Sequence, residues 1–343
     1  MGVHDSVPVT IANLRQRIAV LPRFHLTDLP TPFEELHNLR AAIGGPRLFI
    51  KRDDLTHSAL GGNKNRKFEF EIADALQHGC DVMVWGGGVR QSNHARQCAA
   101  AARKAGLDIV LVLNRGVHGN DSQGNRLLTE LLGAEVHQID SDEMFGVETE
   151  LDRVECDLRT QGRTPYVVRY GPLTAVGYVE CLIEMIEQSA LQGVQLSHVY
   201  VASGGGTQAG LELGVRALGL DLQIRGFTPL RVPGGRTPEQ ARMANMTAAL
   251  LGLNVTVDPS AISNSDRCIG SGYAEVTAAG VKAIKLLART EGVFLEPVYT
   301  AKAFAALCDD VRGGVLTEHD NVAFMHTGGA PLIFAYAREL SSG

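Results

Sequence analysis

The stretch DVMVWGGGVRQSNHARQCAAAARKAG, residues 81–106, decides the fold. An apolar run of strand length runs into three glycines, Gly86–Gly88. A polar cluster then opens an alanine-rich segment of helical length that stops at Gly106. Short apolar runs bounded by glycine read as buried strands, and longer periodic segments with a stop signal read as helices. This is one βα unit. The same grammar continues outward. DIVLVLNRG (108–116), AEVHQID (134–140) and PYVVRYG (165–171) read as strands. SQGNRLLTELLGA (122–134), a segment near 143–161 and GYVECLIEMIEQSALQG (177–193) read as helices. The pattern restarts with the strand SHVYVAS (197–203), the loop GGGTQ (204–208), the helix AGLELGVRALG (209–219) and the strand QIRGFTPL (223–230). It closes with a helix after Glu275, the strand NVAFMHTGG (321–329) and a helical APLIFAYARELSS (330–342). Upstream, PFEELHNLRAAIG (32–44) reads as a helix and RLFIKRDD (47–54) as a short strand. Alternation of this kind predicts an α/β protein of two lobes, with parallel twisted sheets flanked by helices.

Composition narrows the function classes. The chain has 343 residues, 45% hydrophobic and 20% charged, with a net charge of −6. That is a globular balance, and the Lys and Arg residues form no basic stripe, so no nucleic-acid partner is expected. The N-terminus has no basic segment followed by an apolar core, and the longest apolar runs are strand-length, so neither a signal peptide nor a membrane partner is expected. MGVHDS fits the loose myristoylation pattern, a weak signal that nothing else supports. The six cysteines, Cys80, Cys98, Cys156, Cys181, Cys268 and Cys308, lack metal-ligand spacing. They read as free thiols of a reducing cytoplasm, and no metal is expected.

Glycine clusters follow the strands at Gly86–Gly88, Gly204–Gly206 and Gly328–Gly329. Open α/β sheets bind ligands beyond the carboxyl ends of their strands. In ALGGNKNRKFEFEIADAL (59–76), Gly61-Gly62 permits a tight turn, Asn63 is placed to cap a helix, and Lys64 falls in its first turn. A lone lysine is usually a solvated surface group. One at a helix N-terminus, with Lys67 three residues on, is a candidate Schiff-base nucleophile, and Lys67 is its rival. Gln91, Ser92, Asn93 and His94 exceed what a helix cap needs and offer hydrogen bonds to a carboxylate or a phenolic oxygen. Ser203, Gly204, Gly205, Gly206 and Thr207 form a loop before a helix, suited to a phosphate. The same loop fits a dinucleotide fingerprint through Ala209, but the next strand ends in Thr228, Pro229 and Leu230, with no acid for a ribose. In FLEPVYTAKA (294–303), Tyr299 stands at a helix entrance, and Thr327 follows an apolar strand. His326 has no nucleophile-elbow motif to pair with.

Together, LPTPFEELHNL, IKRDDLT, GGNKNRKFEF, RQSNHARQCAAAA, SGGGTQAGL, EPVYTAKA and HTGGAP resemble the pyridoxal-phosphate enzymes that include 1-aminocyclopropane-1-carboxylate deaminase, D-cysteine desulfhydrase and L-cysteate sulfo-lyase. That group is a branch of the tryptophan-synthase-β-like enzymes, fold type II. The resemblance implies pyridoxal 5'-phosphate as cofactor, a small amino acid as substrate and a homodimer. It implies a large cofactor-binding domain (1–60 and 180–343) and a small one (61–179), with one catalytic unit over about 25–335. Lys64 would carry the Schiff base and Asn93 would bond the phenolic oxygen. Ser92 and its neighbours Gln91, Asn93 and His94 would hold the substrate carboxylate, with Ser92 assisting proton transfer. Ser203 to Thr207 would hold the phosphate. Tyr299 and Tyr273 would lie near the substrate, and Thr327 would face the pyridine nitrogen.

Cyclopropane-opening deaminases of this group have Glu after the tyrosine and Leu before the paired glycines. This chain has Thr300 and Thr327, as the desulfhydrase-like branch does. Threonine is a weaker partner for the ring nitrogen than a carboxylate, and suffices where a good leaving group departs from the adjacent carbon. The expected reaction is therefore α,β-elimination to pyruvate and ammonia. The alternatives are a cyclopropane-type deaminase, an NAD(P)-dependent oxidoreductase using GGGTQA, and a non-catalytic cofactor-binding protein. Two stretches depart from the family pattern. RYGPLTAVGY (169–178) has Pro172 and Leu173 where relatives carry a polar pair, and GGGV (86–89) replaces a threonine-containing strand end.

Overall fold

The apolar runs become strands and the periodic segments become helices, in a computed structural model that describes residues 7–116, 121–139 and 147–341. In chain order the elements are α1 (Ile11–Ala19), β1 (Phe33–Glu35), α2 (His37–Ile43), β2 (Arg47–Arg52), α3 (Lys64–Gln77), β3 (Val82–Val89), α4 (Asn93–Lys104), β4 (Asp108–Asn114) and α5 (Gly124–Leu131). There follow β5 (Glu135–Ile139), α6 (Glu148–Thr160), β6 (Pro165–Val167), α7 (Val176–Leu191), β7 (His198–Ala202), α8 (Gly206–Leu218), β8 (Gln223–Phe227) and α9 (Thr237–Leu250). The last are β9 (Ser263–Ser265), α10 (Ala278–Glu291), α11 (Thr300–Arg312), β10 (Asn321–His326), α12 (Pro331–Ala335) and α13 (Ala337–Ser341).

The chain divides into two compact units. One comprises Met1–Leu21, Pro30–Asp53 and Tyr170–Thr327, and the other Pro22–Leu29, Asp54–Arg169 and Gly328–Gly343. The first contains a six-stranded sheet in the order β1-β2-β10-β7-β8-β9, parallel except for β1. Its core joins Val199 and Val201 of β7 with Leu211 of α8, Tyr178 and Leu182 of α7 and Met325 of β10. The second contains a four-stranded parallel sheet, β5-β4-β3-β6. One face of that sheet packs Met83, Ile109 and Leu111 against Phe68 and Ile72 of α3 and the alanines of α4. The other packs Val82, Val84 and Val110 against Leu151, Val154 and Leu158 of α6. Residues burying both faces explain the continuous apolar runs of β3 and β4. Among the described residues, no helix is long and apolar enough to cross a membrane.

Three of the stretches read above differ in the structure. The start of PFEELHNLRAAIG is the strand β1, and the helix begins only at His37. Pairing decides it: Phe33 stacks on Phe49 of β2 with ring centroids 5.2 Å apart, and Arg47 holds Glu35 through bonds of 2.9 and 2.6 Å. Such cross-strand contacts outweigh local helix propensity. The segment after Glu275 becomes helical only at Ala278, where the Thr277 hydroxyl caps α10. The C-terminal helix breaks at Tyr336 into α12 and α13. The helix near 143–161 is α6, and its first residues lie outside the described ones.

Candidate active site

In the four-stranded unit, Lys64 is delivered by an unusual turn. Ala59, Leu60, Gly61 and Gly62 have φ of 48°, 64°, 71° and 126°. Glycine takes such values cheaply, whereas alanine and leucine are strained there. The fully buried Arg96 of α4 holds the turn, donating from Nη2 to the Gly61 carbonyl at 3.0 Å and from Nη1 to the Ala59 carbonyl. Thr56 Oγ1 accepts from Gly62 N–H at 2.8 Å. A side chain at Gly61 would meet the Asp54 carbonyl oxygen at 1.8 Å, so only glycine fits. Half-buried Lys64 begins α3, and its Nζ donates to Asn63 Oδ1 at 3.0 Å. Asn63 does not cap the helix. With φ −66° and ψ −13° it already belongs to the helical turn, and it makes no side-chain cap bond. Lys67, the rival, is buried and donates to buried Glu71 at 3.0 Å.

At the β3–α4 junction the candidates converge. Ser92 caps α4, its Oγ accepting from Ala95 N–H at 3.2 Å. Asn93 Oδ1 accepts from Asn125 Nδ2 at 2.7 Å. Gln91 is buried, with Oε1 accepting from Asn125 N–H and Nε2 donating to the Gln123 carbonyl, both at 3.0 Å. The His94 ring lies 4.3 Å from Trp85 and 5.4 Å from Phe68, and its buried Nε2 has no hydrogen-bond partner among the described residues. Burial, helped by the charges of Lys67 and Lys64, holds its pKa well below the ordinary histidine value, so the ring is neutral. The influence of both lysines on His94 places the Lys64 and Ser92–His94 segments in one electrostatic neighbourhood.

The six-stranded unit carries the other candidates. Ser203 Oγ accepts from Gly205 N–H at 3.3 Å and Gln208 N–H at 3.0 Å, tying the loop to the first turn of α8. Gly205 is the N-cap and brings no side-chain cap. A Cβ at Gly206 would meet Thr174 Cγ2 at 2.5 Å, whereas one at Gly204 would find nothing among the described residues nearer than 3.9 Å. Thr174 lies in the short 3-10 turn Pro172–Ala175, so the divergent RYGPLT segment forms the support beneath the glycine loop. Arg236 Nε donates to the Gly204 carbonyl at 2.5 Å, bringing positive charge beside the loop. Tyr273 and Tyr299 share a hydrogen bond between their hydroxyls, with ring centroids 6.1 Å apart. Burial pushes Tyr273 up to about 12.

Buried Glu296 accepts from the N–H groups of Val298, Tyr299 and Thr300 at 2.8, 2.7 and 2.5 Å, and so fixes the start of α11. Burial raises its pKa to about 7, against the downward pull of those donors. Thr300 Oγ1 accepts from Glu296 N–H at 2.9 Å and donates back to the Glu296 carbonyl at 3.2 Å, so it serves this turn. Thr327 is half-buried just beyond β10. His326 Nε2 lies 3.0 Å from the Phe294 carbonyl, a packing role.

The donor set fits pyridoxal phosphate. In the four-stranded unit, a half-buried lysine amine and an asparagine amide with its oxygen already occupied suit an aldehyde and a phenolic oxygen. In the six-stranded unit, a helix N-terminus whose cap is a glycine, with a guanidinium nearby, suits a phosphate. A family model described as pyridoxal-phosphate dependent enzyme matches residues 25–328. The chain belongs to this family. Pyridoxal phosphate is its cofactor, and the fold is type II. Curated relatives include D-cysteine desulfhydrases of Salmonella typhi and Salmonella choleraesuis (strain SC-B67). Each is 40% identical over 324 residues, covering 92% of this chain and 96% of the relative. A crystal structure of an ACC deaminase homologue superposes with a TM-score of 0.89 at 35% identity, covering 97% of this chain and 99% of that one. Apo diaminopropionate ammonia lyase of Escherichia coli shares the fold, with a TM-score of 0.68 at 15% identity over 97% of this chain and 92% of that one.

The sequence reading missed four residues around these candidates, Arg96, Asn125, Arg236 and Glu296. Each acts through partners distant in sequence or through backbone groups, and so leaves no motif. An arginine in an alanine-rich helical run was the one available signal.

Proposed function

We propose that this enzyme catalyses α,β-elimination from a small β-substituted amino acid, D-cysteine, L-cysteate or a close analogue, giving pyruvate, ammonia and the leaving group. The carrying observation is the pair of threonines at 300 and 327. Thr300 is closed into the Glu296 turn, and in this reading neutral Thr327 faces the pyridine nitrogen. A neutral partner suits a substrate whose own leaving group takes the electron pair. Similarity to the D-cysteine desulfhydrases supports the same reading.

Bound pyridoxal phosphate supplies the electron sink for charge developed at the substrate α-carbon. Lys64 would anchor it covalently, and the Lys64 amine would take the proton from the substrate α-carbon. The Asn93 NH₂ would donate to the phenolic oxygen, because Oδ1 is held by Asn125. The Ser92 hydroxyl and the first N–H groups of α4 hold the substrate carboxylate, beside Gln91 and the neutral His94. Ser203, Gly204, Gly205, Gly206 and Thr207 hold the phosphate. The Tyr273–Tyr299 pair protonates the departing group as its bond to the β-carbon breaks. Water then completes the conversion to pyruvate and ammonia. The free cysteines support a cytoplasmic setting, and the family resemblance supports a homodimer.

Product analysis tests this reading. The enzyme is given D-cysteine, L-cysteate and 1-aminocyclopropane-1-carboxylate in turn. Pyruvate from either of the first two is the expected result. Turnover of the cyclopropane alone, to 2-oxobutanoate, overturns it. Lys64→Ala is expected to lose the visible cofactor band and turnover together, whereas a surviving band would move the anchor to Lys67.

A further inference from the structure

The four-stranded unit has a buried hub that no motif announces. Asn125, in the first turn of α5, is fully buried. Its backbone N–H donates to Gln91 Oε1 at 3.0 Å. Its Nδ2 donates to the Gln91 carbonyl at 2.8 Å and to Asn93 Oδ1 at 2.7 Å. Its Oδ1 accepts from Arg96 Nε at 2.7 Å.

The two ends of an asparagine amide look alike, and partners decide which is which. Here they decide without ambiguity. The Gln91 carbonyl only accepts and Arg96 Nε only donates, so Asn125 must turn its NH₂ to the first and its oxygen to the second. The second N–H of Asn125 then meets Asn93, which must answer with its oxygen. The NH₂ of Asn93 is thereby turned the other way. Arg96, held through the same oxygen, is the residue that clamps the left-handed turn before Lys64.

We infer that Asn125 is a positioning residue. It fixes the Asn93 amide with its donor end toward the cofactor and sets Arg96, and with it the Lys64 turn, in the same frame. The inference rests on the reading that Asn93 bonds the cofactor oxygen. Without Asn125, the Asn93 amide is free to turn and present its carbonyl to an oxygen, lone pair against lone pair.

The test is a double-mutant cycle with Asn125→Asp and Asn93→Ala. The introduced carboxylate retains an acceptor for Arg96 but has no N–H, so the Asn93 amide turns its NH₂ toward it. In the wild-type background, Asn125→Asp is expected to retain pyridoxal phosphate roughly tenfold more weakly by equilibrium dialysis, the factor one mis-set buried hydrogen bond carries. It is also expected to displace the pH profile of the visible band. In the Asn93→Ala background the same change is expected to do little, because coupled residues are non-additive. Equal losses in both backgrounds, or wild-type retention and pH profile in Asn125→Asp, would overturn the inference. Should Asn125→Asp fail to fold, Asn125→Ser in the same cycle decides on the same readouts. A wild-type chain that takes up no pyridoxal phosphate sinks the underlying reading together with this one. A wild-type chain that does, beside an indistinguishable Asn125→Asp, sinks this one alone.

Discussion

The junctions β3–α4 and β7–α8 begin alike and end differently. Each is a parallel strand running into glycines and then a helix. At the first, Ser92 caps the helix with its own hydroxyl, and Gln91, Asn93 and His94 crowd the entrance. At the second, Gly205 is the cap and brings no side chain, while Ser203 braces the loop from behind. In both helices the N–H of the third residue is taken by a serine hydroxyl, but only at the first does that serine occupy the cap position. A glycine at the cap leaves room there for an anion. On the proposed reading, the side chains at the first junction serve substrate and the backbone at the second serves a phosphate.

That contrast can be broken at either junction. The largest effect is expected from Gly206→Ala, whose Cβ would lie 2.5 Å from Thr174 Cγ2 and 3.2 Å from the Thr174 carbonyl oxygen. Overpacking should cost roughly 1–3 kcal/mol. Thermal unfolding with and without pyridoxal phosphate should show both lower stability and a smaller gain from the cofactor.

Gly205→Ser sharpens the comparison by placing a hydroxyl at the cap position of α8, where α4 has Ser92. The new Cβ would meet only the flexible Met243 Cε at 3.1 Å and the end of the Arg236 side chain at 3.7 Å, so the fold should tolerate it. The hydroxyl then competes with the phosphate, and cofactor affinity should fall about tenfold, the weight of one hydrogen bond. Unchanged affinity by dialysis would show that the two junctions do not divide the work in this way.

His94 marks the side-chain junction electrostatically. Its folded pKa lies below its unfolded value, so below about pH 6.5 the unfolded chain binds the extra proton and stability falls as pH falls. Lowering pH from 7 to 5.5 should cost the wild type about 1 kcal/mol more than His94→Gln, as read from urea midpoints at each pH. A parallel pH dependence in the two proteins would show that His94 titrates normally. The smallest effect is expected from Ser92→Ala, about 1 kcal/mol or less for a lost cap, checked in the same urea series.

Much of this was readable in the residues. Strand-length apolar runs ending at or just before glycine located β3, β4, β7 and β10, because burial on both faces leaves an unbroken apolar signature. Lys64, the Ser92–His94 cluster and the glycine loop were legible because each sits where a strand or loop hands over to a helix. What escaped was set by distant partners. The strand at Phe33 depends on Phe49 and Arg47. Asn63 looked like a cap, but its backbone had already entered the helical turn. Asn125 owes its importance to groups about 30 residues away in sequence, as the separations of 29 to 34 residues to Arg96, Asn93 and Gln91 show. No local pattern encodes a meeting of that kind.

The chain has one tryptophan, Trp85, and it lies on β3 with its ring against His94, the second residue of α4. Indole fluorescence from this protein therefore reports on a single place. Emission changes as this unit loosens, or as its side chains rearrange, read the surroundings of His94. A tryptophan placed in the six-stranded unit would supply a second channel, and the loosening of the two units could be timed against each other.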